Sequence, residues 1–165
     1  ELRRVTEVNY LAPAELCRQA VPRMLRRGGG HIVNVSSMAG CSVFPGLVTY
    51  CASKAALSHF TAGMRADLRG LPIGTTQVEL GPIPTELLAH ADAFEPTAKS
   101  FQRLYRTRMM IKVPRETVSE SVVEAVRKGR KHVRIPRRAA IFPILAEIPR
   151  RATEIVLTGV PHQVR

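Results

Sequence analysis

Apolar residues recur at mostly three- and four-residue intervals from the first turn of the chain: Leu2, Val5, Val8, Leu11, Ala12, Leu16, Ala20, Met24 and Leu25, up to Gly28-Gly29-Gly30. This pattern predicts one long helix that is already under way at Glu1. Pro13 removes a backbone donor from it, so a bend is expected there. The period then changes. His31-Ile32-Val33-Asn34-Val35-Ser36 is rich in β-branched residues and alternates only in part, which predicts a short interior strand of a parallel sheet.

Glycines 40 and 46 and Pro45 mark a loop after that strand. Helical spacing returns from Tyr50 to Arg69, with Leu57, Phe60, Met64 and Leu68 in one stripe and Gly70 as the stop. Ile73 to Leu80 predicts a second strand, and Gly81-Pro82-Ile83-Pro84 a turn that leads into a short helix at Thr85-Glu86-Leu87-Leu88. Residues 91–112 are weakly periodic and predict a loop or lid with one helix around Phe101 to Met110. Pro114 precedes a firmer helix through Val118, Val122, Val123 and Val126, which Gly129 ends. His132 to Ile135 is the last expected strand, and Ala139 to Leu157 a broken helical tail. Strands alternating with helices predict parallel α/β construction with right-handed crossovers.

Composition narrows the class. A chain of 165 residues, 45% apolar, suits one globular domain. Its three cysteines, at 17, 41 and 51, are odd in number and lack metal-ligand spacing. A reducing, cytoplasmic setting without a disulfide framework is therefore expected. His31, His59 and His90 share no ligand spacing, so no metal site is expected. No apolar run approaches the length of a spanning helix. The net charge of +12 is concentrated: residues 101–165 hold fifteen of the twenty-five Lys and Arg but five of the thirteen acids.

The chemistry lies in the other half. Tyr50 and Lys54 are four residues apart near a predicted helix start, so both side chains share one face and the ammonium is positioned to lower the phenol's pKa. Alone, this spacing describes an ordinary surface pair. Ser37 alters that reading, because it follows a strand at the end where parallel sheets present ligand-binding groups, and its hydroxyl suits a substrate oxygen beside the tyrosine.

With the strand and loop Ile32 to Gly40, a serine thirteen residues before the tyrosine, the Tyr50-Cys51-Ala52-Ser53-Lys54 motif and Asn9 within Val8-Asn9-Tyr10, the chain resembles the C-terminal two-thirds of a short-chain dehydrogenase/reductase. The resemblance implies an incomplete Rossmann-type doubly wound parallel sheet in a three-layer αβα arrangement. Residues 1–165 would form the C-terminal portion of a single domain, with 127–165 a basic and apolar tail. It implies NAD or NADP as cofactor and interconversion of an alcohol with a ketone or aldehyde. By this resemblance Tyr50 is the acid/base, Ser37 holds the reacting oxygen, Lys54 assists Tyr50 and contacts the nicotinamide ribose, and Asn9 holds a water that links Lys54 to solvent. Gly81, Pro82, Ile83 and Thr85 correspond to the segment beside the nicotinamide, although Leu80 stands where the family usually has proline. It further implies a homo-oligomer built on the two long helices.

The family's glycine-rich phosphate loop has no counterpart here. Gly28-Gly29-Gly30 precedes a strand where the phosphate loop follows one. Phe44, Leu87, Leu88, Met109, Met110 and Ile111 predict a greasy cleft and an apolar alcohol or carbonyl substrate. The stretch Arg127 to Arg138 holds seven Lys or Arg and no acid. No zinc-finger spacing, recognition helix or aromatic series accompanies it, so specific nucleic-acid binding is not expected. A solvated basic face and a peripheral membrane contact are the competing readings, the latter because Ala139 to Leu145 follows directly. A catalytically silent family member acting through protein or membrane-surface contacts is the alternative function.

Overall fold

The computed structural model describes residues 1–84, 86, 88, 89, 93–108, 110–141, 143–146 and 148, without the side chains of Arg138 and Ala139. Thr85, Leu87, His90 and Met109 lie outside the described residues, as does the tail from 149 onward.

The chain opens with α1 (Leu2–Thr6), passes through a π-helical turn at Glu7–Leu11 and continues as α2 (Ala12–Arg26). The bend expected at Pro13 therefore takes a specific form. Pro13 has no N–H to offer the Asn9 carbonyl, so the preceding turn widens and the Ala12 N–H reaches five residues back to the Glu7 carbonyl. Strand β1 (Gly30–Val35) follows, then a 3₁₀ turn at Met38–Gly40 and α3 (Val48–Asp67), which starts two residues before the expected position. β2 (Ile73–Leu80) and β3 (His132–Ile135) complete a three-stranded parallel sheet in the order β1-β2-β3. Between them lie α4 (Glu95–Arg106) and α5 (Arg115–Arg127).

Among the described residues β1 pairs on one side, with β2, and its other edge carries no strand. The interior place belongs to β2, which pairs on both sides and is buried along seven of its eight residues. One expectation needs correction: the helix expected around Phe101 to Met110 spans Glu95–Arg106 instead. Pro96 is admissible in a first turn, and buried Thr97 and Phe101 anchor the helix inward, so its weak periodicity reflects an otherwise polar exposed face.

The sheet is covered on both faces, which makes the three-layer Rossmann-type arrangement visible. On one side Cys17, Ile32, Met64, Leu68 and Ile73 form a core, with Val21, Met24 and Phe60 packed against it from α2 and α3. On the other, Val78, Leu80, Val133 and Ala125 pack with Val118 and Val122 of α5. Gly29, at φ 139°, lies so near the Pro72 carbonyl that a Cβ would collide with it. Gly29 thus serves close packing where α2 turns into β1, as does Gly30 against the Met24 side chain.

Candidate active site

Polar rungs between β1 and α3 place the site. Asn34 donates its amide to Thr61 Oγ1 at 2.9 Å, while Ser36 Oγ lies 2.7 Å from Ser58 Oγ and donates to the Lys54 carbonyl at 3.0 Å. These residues are buried, and each leaves few polar atoms unmatched, so sliding α3 by one turn would orphan several at once. The loop after β1 is drawn against the same helix. A Cβ on Gly40 would meet the Lys54 backbone at 3.1 Å, so glycine permits the approach.

Ser37 sits at the start of that loop, where the parallel strands end. Its hydroxyl donates weakly to the Leu80 carbonyl at 3.4 Å and accepts the Ala39 N–H at 3.1 Å, capping the 3₁₀ turn. Tyr50, in the first turn of α3, lies beside it, and the Ser37 side chain favours its phenolate. Burial acts more strongly in the opposite direction and holds the Tyr50 phenol above its ordinary pKa.

Lys54 occupies the same wall. Its Nζ is 5.9 Å from the centre of the Tyr50 ring and donates to the Val35 carbonyl at 3.0 Å. Because the neighbouring Ser36 N–H points to β2, the Val35 carbonyl points the other way, to the outer edge of β1. Burial pulls the Lys54 ammonium below its ordinary value. The expectation that Lys54 lowers the Tyr50 pKa is therefore not met in this structure. The ammonium is spent on a backbone oxygen, and burial pushes both groups toward their neutral forms.

Asn9 reaches the site through a residue that motif reasoning passed over. Its amide donates to Ser53 Oγ at 3.1 Å, and Ser53 donates to the Tyr50 carbonyl at 2.7 Å. Asn9, Val35 and Lys54 line one open groove beside β1. The signal for Ser53 was its place three residues after Tyr50, the spacing at which a helical hydroxyl bonds back to the main chain.

Gly81, Pro82 and Ile83 lie at the same end of the sheet as Ser37. Gly81 N–H donates to the Ile135 carbonyl at 2.7 Å, the Pro82 carbonyl accepts from Val113 N–H, and Ile83 packs on the α5 core. Thr85 is outside the described residues. Phe44 meets Phe101 edge-on at 5.4 Å, so α4 closes over the loop before α3, and Met110 and Ile111 are half-buried nearby in sequence. Of the other apolar residues expected in the cleft, Leu87 and Met109 fall outside the described set. Among the described residues no three His, Cys, Asp or Glu side chains are placed to hold a metal ion.

Comparison with known proteins agrees with this geometry. The family model for short chain dehydrogenases matches residues 1–96. A short chain dehydrogenase of Pseudocercospora fijiensis is 36% identical over 113 residues, which are 68% of this chain and 36% of that protein. The putative oxidoreductase SadH of Mycobacterium tuberculosis is 27% identical over 151 residues, 90% of this chain and 54% of SadH. The chain thus spans between 36% and 54% of the length of these relatives. A solved short-chain dehydrogenase from Streptomyces avermitilis superposes with a TM-score of 0.69 at 25% identity, over 97% of this chain and 62% of its own. A gluconate 5-dehydrogenase from Burkholderia cenocepacia, at 19% identity, has a TM-score of 0.71 over 85% of this chain and 56% of its own, which is a likeness of fold. The family match covers more than half of the residues and includes Asn9, Ser37, Tyr50 and Lys54, so the chain belongs to the short chain dehydrogenase family.

Proposed function

We propose that the protein containing this chain is an NAD(P)-dependent oxidoreductase that interconverts an apolar alcohol with its ketone or aldehyde. The observation that carries the reading is the meeting of Ser37, Tyr50 and Lys54 on one wall at the carboxyl end of β1. A phenol held above its ordinary pKa is protonated at neutral pH, which is the state needed to give a proton to a carbonyl oxygen. Ser37 donates a hydrogen bond to that oxygen, exchanging its long bond to Leu80 for a better acceptor as negative charge develops. Lys54 is a donor on the same wall, and Asn9 with Ser53 ties the π turn to the Tyr50 backbone.

The residues present fit part of a nicotinamide cofactor. Tyr50 and Lys54 would hold the ribose, with Gly81, Pro82, Ile83 and Thr85 beside the ring. Gly29 and Gly30 offer the pyrophosphate no cradle, because Pro72 and Met24 already fill the space that their missing side chains would leave. When bound, the cofactor supplies the hydride acceptor or donor. Phe44, Phe101, Met110 and Ile111 favour an apolar substrate, and this reading places residues 1–165 in one Rossmann-type domain. Exposed Leu2, Val8, Leu11 and Leu16 on α1, the π turn and α2 support association of two copies.

Turnover by the natural protein containing this chain, followed through nicotinamide absorbance with NADH and NADPH over a panel of aliphatic, aromatic and polycyclic ketones, tests the proposal. Reduction of apolar ketones in preference to polar ones is expected. Folded protein inert toward the whole panel, in both reaction directions and with both nucleotides, would overturn it.

A further inference from the structure

We propose that the region from Arg127 to Ile148 forms a surface that rests on anionic lipid membranes, independently of the reaction above. The first observation is a helical stretch facing the wrong way for water. Residues 141, 143–146 and 148 are helical, and Pro143 is fully buried, so this stretch touches the body of the molecule there. A surface helix ordinarily turns polar residues outward. Here the outward residues are Ile141, Ile144, Leu145 and Ile148, exposed by 56%, 41%, 56% and 55%. Their spacing of three, four and seven residues from Ile141 places them in a single stripe.

The second observation is charge. From Arg127 to Ile148 the sequence contains seven Lys or Arg against a single acid, Glu147. Buried Glu79 engages Arg134, and Glu124 engages Lys128 and Arg130, while Arg127, Lys131 and Arg137 point into solvent. Arg137 stands in the 3₁₀ turn Arg137–Ala140 that leads directly into the stripe. Lys131 is one short strand away, roughly 13 Å along β3.

Together these features select the occupant. A second copy of the chain would bring two strongly cationic surfaces together and is disfavoured by repulsion. The stripe Ile141, Ile144, Leu145 and Ile148 is aliphatic, and a membrane interface offers hydrocarbon for it and anionic headgroups for the flanking cations. No helix among the described residues is long and apolar enough to cross a membrane, so the contact is peripheral.

The test is cosedimentation of the whole chain with phosphatidylcholine vesicles, with and without about 30% phosphatidylserine, an anionic lipid of the kind that attracts polybasic segments. Wild-type chain should partition at least ~10-fold more strongly into the anionic vesicles. Two variants, Ile141→Ser/Ile144→Ser/Leu145→Ser/Ile148→Ser and Arg127→Gln/Lys131→Gln/Arg137→Gln, should each lose roughly tenfold or more of that partitioning, since apolar area and charge both contribute. Equal binding to both vesicle types, or full binding by the serine variant, overturns the proposal. So does a wild-type chain that ignores vesicles but dissociates from dimer to monomer when the serines are introduced, which would assign the stripe to copies of the chain. Because the chain has no tryptophan, Leu145→Trp gives a second readout that leaves the stripe apolar. Its fluorescence should shift to the blue on anionic vesicles and be quenched by brominated lipid; an unchanged spectrum contradicts insertion.

Discussion

Two polar groupings, one buried around Glu79 and one half-buried around Tyr50 and Lys54, lie within the same half of the sheet, and they treat charge differently. At the end of β2, Glu79 is surrounded by its own solution: Arg134 Nε at 2.6 Å, Gln77 Nε2 at 3.1 Å and His132 Nδ1 at 3.4 Å, with Arg65 behind the histidine. Around Tyr50 and Lys54 there is burial but no opposite charge at contact distance, and the available partners are a serine hydroxyl and a main-chain carbonyl. A buried ion with a matched counter-ion is a structural element, costly to break and chemically quiet. Half-buried titratable groups without one are pushed toward neutrality and can exchange a proton with whatever enters beside them.

The sharpest way to break this contrast is on the structural side. Arg134→Met leaves Glu79 buried without its nearest cation and should cost about 3–5 kcal/mol in chemical denaturation. The double variant Glu79→Leu/Arg134→Met should recover most of that loss. Recovery would establish that the grouping stabilises through mutual neutralisation, and a double variant as unstable as the single one would refute it. On the catalytic side, Ser37→Ala should reduce kcat by ~10²–10³, the loss typical for one donor to a developing oxyanion. The same substitution removes only a cap on a short 3₁₀ turn, so stability should fall by about 1 kcal/mol or less. A large loss of stability with unchanged kcat would make Ser37 structural.

The smallest effect concerns pH. The folded-state pKa of Tyr50 lies above the ordinary phenol value of 10, so the unfolded chain ionises first as pH rises. The contribution of Tyr50 is therefore fully present below pH 10 and is lost as pH climbs through the higher folded value. Urea unfolding at a series of alkaline pH values should show a decline in stability that is shallower in Tyr50→Phe. Parallel curves would mean that the phenol is no more buried in the native state than in the unfolded one.

Much of this was legible in the sequence. The three strands fall within a residue or two of their predicted positions because β-branched runs bounded by glycine and proline are strong local signals, and the stripe Leu57, Phe60, Met64 and Leu68 does face the core. What escaped were properties of neighbours. The Glu79 grouping joins β2 to residues more than fifty positions away. A lone glutamate in an otherwise apolar and threonine-rich strand was its only trace. The side chains of Tyr50 and Lys54 were expected to meet directly, since the four-residue spacing is a fact about helices. That Lys54 turns to the Val35 carbonyl is a fact about the sheet edge, which no helical pattern encodes.

The central claim is that the Tyr50 hydroxyl delivers the proton in the proposed carbonyl reduction. The direct measurement is kcat for a turned-over ketone in the natural protein and its Tyr50→Phe variant, with nicotinamide binding and thermal unfolding measured on both. A loss of ~10²–10⁴ in kcat, with cofactor affinity and folding near wild type, is the predicted result for removal of a general acid. A folded Tyr50→Phe variant that reduces the ketone at the wild-type rate would contradict it.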